Sequence, residues 1–246
     1  MEFASRPSVK SFALLRAGIA SLVGLFVYAF AAAASALRQL PPVSENLPEL
    51  AVLEAHAKNV VNAVLVDLRA FDTMGEITVL VVAAIAIAVL AAEARQTISP
   101  GLPTASSPIL ETGSRAVFHT ILILALFMFF SGHNAPGGGF VAGLVASGAF
   151  VVRYLAYGAD ELKRTLPLRP EMLMATGLLA SLASGIAPVF LSHSGQAFDF
   201  GFALLTLPVI GDVGISTSVI FDAGVFLTVV GVVAAAVDSL GIRETG

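Results

Sequence analysis

Six long apolar blocks alternate with short polar stretches along this chain. They are Ala17–Leu37, Ile77–Ala92, Ala116–Ser131, Gly138–Tyr157, Met172–Ser192 and Ile215–Val237. A helix needs about 20 mostly apolar residues to cross the hydrocarbon of a bilayer. The first, fifth and sixth blocks reach that length unaided. The second to fourth have short uncharged cores, so they must draw polar flanks in to cross roughly 30 Å. The second is entered by an amphipathic stretch from about Asn59. The pattern predicts an all-α, polytopic membrane protein with about six transmembrane helices. Between the first two blocks, 39–58 is broken by prolines and then predicts a short helix near Leu47–Ala57. Between the second and third, TISPGLPTASSPILET (97–112) is rich in Pro, Ser and Thr and reads as a linker. It divides the chain into 1–96 with two spans and 113–246 with four.

Composition agrees with lipid as the solvent. The chain is 57% hydrophobic and 12% charged, against about 45–50% and about 25% in soluble domains. With no cysteine there is no disulfide framework, cysteine metal site or thiol nucleophile. The basic residues are scattered, so nucleic acid is not an expected partner, and nothing calls for a cofactor. The N-terminal Arg6, Lys10 and Arg16 ahead of an apolar run imitate a signal peptide. That run exceeds an ordinary h-region of about 7–15 residues and reads as a retained helix.

Charge also predicts orientation. With the N-terminus inside and six spans, Arg6, Lys10, Arg16, Arg95, Arg115, Arg153, Lys163, Arg164, Arg169 and Arg243 fall inside. Only Arg38, Lys58 and Arg69 of the 13 Lys and Arg fall elsewhere. The later outer loops, 131–138 and 193–214, hold no Lys or Arg. The excess of cytoplasmic positive charge predicts N-in, C-in.

Ionisable groups in a span cost about 2.5–3.5 kcal/mol each on insertion scales, so each is a functional candidate. NAVLVDLRAFDTMGEITVL carries Asp67, Arg69, Asp72 and Glu76 at the head of the second span. Asp72 and Glu76, four apart, share one helix face, and Arg69 can pair with Asp72. Two such carboxylates facing a protein interior would raise each other's proton affinity, which suits a proton relay or a transient Na⁺ site of hard oxygen ligands. The competing reading is a solvated helix end. Asp222 lies within the sixth span, either as a packing hydrogen-bond partner or on a pathway. His119 lies near the inner start of the third. The turn SGHNAPGGGF joins two spans. Asn134 can adopt the left-handed conformation, Pro136 fixes φ, and Gly137, Gly138 and Gly139 allow positive φ or close contact ahead of Phe140. Gly139 and Gly143 form a G-x-x-x-G pair, and His133 can titrate near neutrality. No Ser/His/Asp constellation or H-E-x-x-H motif points to an enzyme.

GHNAPGGGFVAGLVAS, followed later by TSVIFDAGVFLTVVGVV, resembles the MnhB family, the B subunits of Mrp-type Na⁺/H⁺ antiporters and of related membrane-bound hydrogenases. NAVLVDLRAFDTMGEITVL resembles the MbhE-like tail of the large Mrp A subunit. That tail carries Phe-Arg-Gly-Phe where this chain has Leu68-Arg69-Ala70-Phe71, a departure that spares every charge. The two resemblances cover about the last 190 residues. They imply a non-catalytic subunit of a multi-subunit monovalent cation (Na⁺)/proton antiporter, akin to the membrane arm of respiratory complex I. Its site would be a prokaryotic plasma membrane. Its partners would be the other subunits, including large antiporter-like ones, with Na⁺, H⁺ and lipid. Asp72 and Glu76 would handle ions; Pro136 and Phe140 would belong to a turn needed for assembly or work. A structural scaffold and a subunit of a hydrogenase-type complex remain the alternatives.

Overall fold

The computed structural model describes residues 9–36, 45–95, 108–166, 168–192, 195–207 and 211–240. Most of the predicted linker 97–112 lies outside the described residues, as do Arg6, Arg38 and Arg243 of the charge count. The chain falls into two units, Met1–Asn46 and Leu47–Gly246.

The first unit contributes α1 (Val9–Ala36), which has no acidic residue in its first turn. The stretch Arg16–Ala33 is apolar and long enough to cross a membrane.

The second unit runs through α2 (Leu47–Leu53), α3 (Val60–Ala63), a π turn (Val64–Leu68), α4 (Ala70–Arg95), α5 (Pro108–Ser131), α6 (Gly139–Tyr157), α7 (Ala159–Thr165), α8 (Pro170–Leu191), β1 (Phe202–Leu207), β2 (Gly211–Ser216) and α9 (Ser218–Leu240). With α1, the helices α4, α5, α6, α8 and α9 give six described helices long and apolar enough to span. The chain is a multi-pass helical membrane protein. The predicted blocks and the helices overlap throughout, but three helices begin markedly earlier: α1 at Val9 rather than Ala17, α4 at Ala70 rather than Ile77, and α5 at Pro108 rather than Ala116, so that 108–112 of the predicted linker are helical. Polar residues at the head of the second block are therefore already helical.

Helix α9 is the hub of this unit. Phe221, Val225 and Val229 are buried with Val66 of the π turn and with Ala70 and Ile77 of α4. Further along, Val230 and Ala234 pack with Phe118 and Ala125 of α5 and with Ala146, Ala149 and Phe150 of α6. Lipid supplies no hydrophobic drive between helices, so association rests on close packing and interhelical hydrogen bonds. Ser181 of α8 supplies one, its Oγ donating to the carbonyl of Phe221 at 3.0 Å.

The segment after α8 departs from the sequence reading. The stretch predicted as loop contains an antiparallel hairpin in which Phe202 stands opposite Ser216 and Leu207 opposite Gly211. The pairing satisfies the backbone of a stretch too short to span as a helix. Just before it, Phe198 adopts φ 60° and its N–H donates to the carbonyl of Gly185 at 2.7 Å. Its ring packs in the cluster formed by α4 and α9.

Both ends of the helix bundle are tied by polar contacts. Near one end Arg153 pairs with Glu161 and lies 5.2 Å over the Phe118 ring, while Arg115 Nε donates to Tyr157 Oη at 2.7 Å. The other end carries the candidate site.

Candidate ion-handling site

The site begins with a helix cap. Asn59 has extended backbone (φ −87°, ψ 92°) and caps α3 by accepting the N–H of Asn62, at 3.4 Å. Its Nδ2 turns the other way and donates to the carbonyls of Gly132 and Ala135, both at 2.8 Å. The backbone N–H groups of Lys58 and Asn59 both donate to the carbonyl of His133 at 3.0 Å. The start of α3 is thus bolted to the turn between α5 and α6. Sequence reading did not single out Asn59; an Asn just ahead of a helical apolar run is the capping signal that could have found it.

The π turn that follows aims the next two charges in opposite directions. A π turn spreads one helical turn over an extra residue and is frequent at functional sites. Here the N–H of Arg69 donates to the carbonyl of Val64 at 2.8 Å, five residues back, and Thr73 Oγ1 donates to the carbonyl of Leu65 at 2.5 Å. The Asp67 side chain is left only 10% exposed, whereas that of Arg69 is 63% exposed.

Asp67 faces His133. Its Oδ2 lies 3.4 Å from His133 Nε2, and Ser218 Oγ lies 3.4 Å from the same nitrogen. Ser216 Oγ sits 2.6 Å from Ser218 Oγ and extends the polar chain to the end of β2. The contact with Asp67 holds the His133 imidazole above its ordinary value of 6.5; burial opposes it, and the Asp67 and Asp222 charges add to it.

Asp222 completes the cluster. It is 5% exposed, and its Oδ1 accepts the backbone N–H of Gly139 at 2.7 Å. That N–H is one of the unpaired donors at the start of α6, where a carboxylate is also favoured by the helix dipole. The glycines of the turn permit this approach. Gly138 has φ 101°, and a Cβ there would run into Asn62, while one on Gly139 would run into Asp222. Phe140 packs beside the α4–α9 core. Asn134 and Pro136 are exposed.

The structure therefore gathers Asp67, His133 and Asp222, and sets the others apart. Arg69, just before α4, and Asp72 in its first turn form an exposed ion pair, the Asp72 side chain 48% exposed. Glu76 is exposed one turn further on. Within the unit Leu47–Gly246 the face of α4 that meets α9 is the one carrying Ile77, and Asp72 and Glu76 lie away from it. His119 is exposed on α5, with its ring edge-on to Phe118. Fourteen residues of largely helical chain, at about 1.5 Å each, put it about 20 Å from His133. Among the described residues no group of three His, Asp or Glu side chains could hold a metal ion.

A cavity of about 270 Å³ adjoins the cluster, lined by His133, Asn134 and Asp222 together with His56, Phe202 and Ser216. His56 was also not singled out by sequence. Its backbone is left-handed, with φ 51°, a conformation more common for His than for most residues.

These features define a multi-pass membrane protein with a buried, charged junction where helices from both halves of the sequence meet. Residues 109–235 match the family described as "Domain related to MnhB subunit of Na+/H+ antiporter", and residues 12–104 match the MbhE family, the E subunit of MBH. The chain is 35% identical over 136 residues to the B subunit of the Na⁺/H⁺ antiporter of Bacillus subtilis, covering 55% of this chain and 94% of that protein. It is 32% identical over 225 residues to a probable K⁺/H⁺ antiporter A/B subunit of Rhizobium meliloti, covering 79% of this chain and 22% of that one. In the solved Mrp complex from Dietzia sp. DQ12-45-1b, one chain aligns with TM-score 0.69 and 34% identity, over 99% of this chain and 27% of that one. The chain belongs to the MnhB family of antiporter subunits.

Proposed function

We propose that this chain is a non-catalytic subunit of a multi-subunit monovalent cation/proton antiporter, contributing carboxylates to an ion path and helix packing to assembly. Two modules make it up, an MbhE-like 1–96 and an MnhB-like 113–246, joined through 97–112, in a prokaryotic plasma membrane with both termini inside. The observation that carries the reading is the meeting of the two signature segments. Asp67 of the first stands against His133 of the second, 3.4 Å apart, with buried Asp222 beside them. Charges this costly in a membrane are retained where ions or protons move, or where helices must be locked.

Two roles separate by position. The Asp67–His133–Asp222 cluster joins the modules and can pass a proton between carboxylate and imidazole. Arg69, Asp72 and Glu76, at and just before the start of α4, point away from the core of the Leu47–Gly246 unit, where another subunit or a water-lined route shared with one can meet them. Asp72 and Glu76 can offer a passing Na⁺ hard oxygen ligands. Na⁺ is the cation named for the Bacillus relative, K⁺ for the Rhizobium one.

The test uses the complete complex in everted vesicles from cells lacking other antiporters. Na⁺- and K⁺-induced collapse of the pH gradient is compared between the native chain and Glu76→Gln, with assembly checked on the same vesicles. Loss of exchange in an assembled complex is the expected result. Exchange at the native rate would make the chain a scaffold.

A further inference from the structure

The cavity beside the cluster has a use that the charged residues alone do not reveal. It is lined by His56, Phe129, Phe130, Phe202, Val219 and the Asp222 group. Its lining ranges from exposed to buried. His56 is exposed, Phe202 is 39% exposed, the His133 side chain is 18% exposed, and Asp222 is 5% exposed. A cavity holds water only where polar groups line it and there is room for at least one molecule. At about 270 Å³, with His133, Asn134, Ser216 and Asp222 on its wall, this one has the polar lining and the room for several.

Its mouth is built from two otherwise unexplained features. The His56 and Phe202 rings are in contact, 4.4 Å between centroids with their planes tilted by 31°. One belongs to a residue held in left-handed backbone at φ 51°. The other is the first residue of the hairpin that the sequence did not predict. A residue in left-handed backbone and an unanticipated hairpin converge on one ring contact in the lining of a polar cavity.

We infer that this cavity is an outward-opening aqueous vestibule, with the His56–Phe202 pair as its rim, admitting a small hydrated monovalent cation to Asp222 and the Asp67–His133 pair. The outward direction rests on the orientation expected from charge, in which 131–138 and 193–214 hold no Lys or Arg and 39–58, the segment that contributes His56, holds one, Lys58. The site rests on the transport reading above and adds to it an entrance, a direction and a gate.

The chain contains no cysteine, so a single introduced thiol on it reports access without background from its own sequence. Val219→Cys lines the cavity, and Val225→Cys, 1% exposed in the core, is the control. Intact cells carrying the assembled complex are treated with a membrane-impermeant cationic methanethiosulfonate, and this chain is then isolated and its modification measured by mass. Expected is modification of Val219→Cys from outside, none of Val225→Cys, and severalfold faster modification of Val219→Cys when Phe202→Ala is added. Modification of Val219→Cys only in everted vesicles would overturn the direction. No modification from either side, or a rate unmoved by Phe202→Ala, would overturn the vestibule or its gate. Labelling does not depend on exchange. A labelled vestibule in a complex that tolerates Glu76→Gln therefore removes the transport reading alone, and an unlabelled one in a complex that does not tolerate it removes the vestibule alone.

Discussion

Asp222 accepts the backbone N–H of Gly139 at 2.7 Å, so one carboxylate near the start of α9 fixes the first residue of α6. A buried Asp in a span is either an interhelical hydrogen-bond partner or a group on a pathway, and here its geometry makes it the former before anything else. Substitutions can separate the two roles. Asp222→Asn keeps an oxygen acceptor for Gly139 and should leave the complex assembled. If exchange in vesicles then falls, the charge has a second role beyond packing. Gly139→Ala forces a Cβ into Asp222 and should cost about 1–3 kcal/mol, as overpacking does. Its readout is loss of assembled complex on a native gel.

Asn59 joins the two signature segments through donors that no other residue type reproduces at that place. Asn59→Asp retains the cap on α3 but cannot donate to Gly132 and Ala135. Two hydrogen bonds of about 1 kcal/mol each are at stake. Asn59→Asp and Asn59→Ala should both lower the thermal midpoint of the purified complex, and the Asp variant should show no rescue. Recovery with Asp would make the cap, rather than the bolt to the turn, the important contact.

His133 carries a pH signature with a definite sign. Its folded-state pKa is raised above 6.5, chiefly by Asp67. A group raised on folding contributes stability that is fully present below the unfolded value and fades as pH rises through the folded one. Thermal stability of the complex should therefore contain a component that declines with rising pH above about 6.5, in the range where imidazole titrates. Asp67→Asn should remove that component and leave the rest of the profile in place. Asp222 and Ser218 are the other described groups facing the ring, so Ser218→Ala should leave the slope intact.

The Arg69–Asp72 pair makes the opposite prediction. Exposed ion pairs contribute about 0–1 kcal/mol, and these side chains are 63% and 48% exposed. Arg69→Ala should leave the thermal midpoint almost unchanged. Any loss of exchange in that variant then reports on the ion path or on a neighbouring chain of the complex rather than on folding. A large stability loss would place the pair inside an interface with such a neighbour.

Hydropathy alone was enough to show the membrane class and the approximate place of every spanning helix, because the bilayer sets the length and composition of whatever crosses it. The same constraint made Asp67, Asp72, Glu76 and Asp222 conspicuous as charges out of place. The glycines of SGHNAPGGGF showed that two helices had to turn tightly and approach closely. Local sequence could not decide which charges would meet. Spacing on a regular helix put Asp72 and Glu76 on one face but could not say what that face meets, and a π turn, invisible to a pattern of period 3.6, sent Asp67 inward and Arg69 outward. His56 and Asn59 look like ordinary loop and cap residues until the α5–α6 turn is placed against them. The hairpin at Phe202–Ser216 was hidden because a short apolar run fits strand, helix or loop equally well. Solvent chose the elements residue by residue, and so they are legible in sequence. The site is made of contacts between segments far apart in the chain, and only the packing of α9 against α4 and α6 decides them.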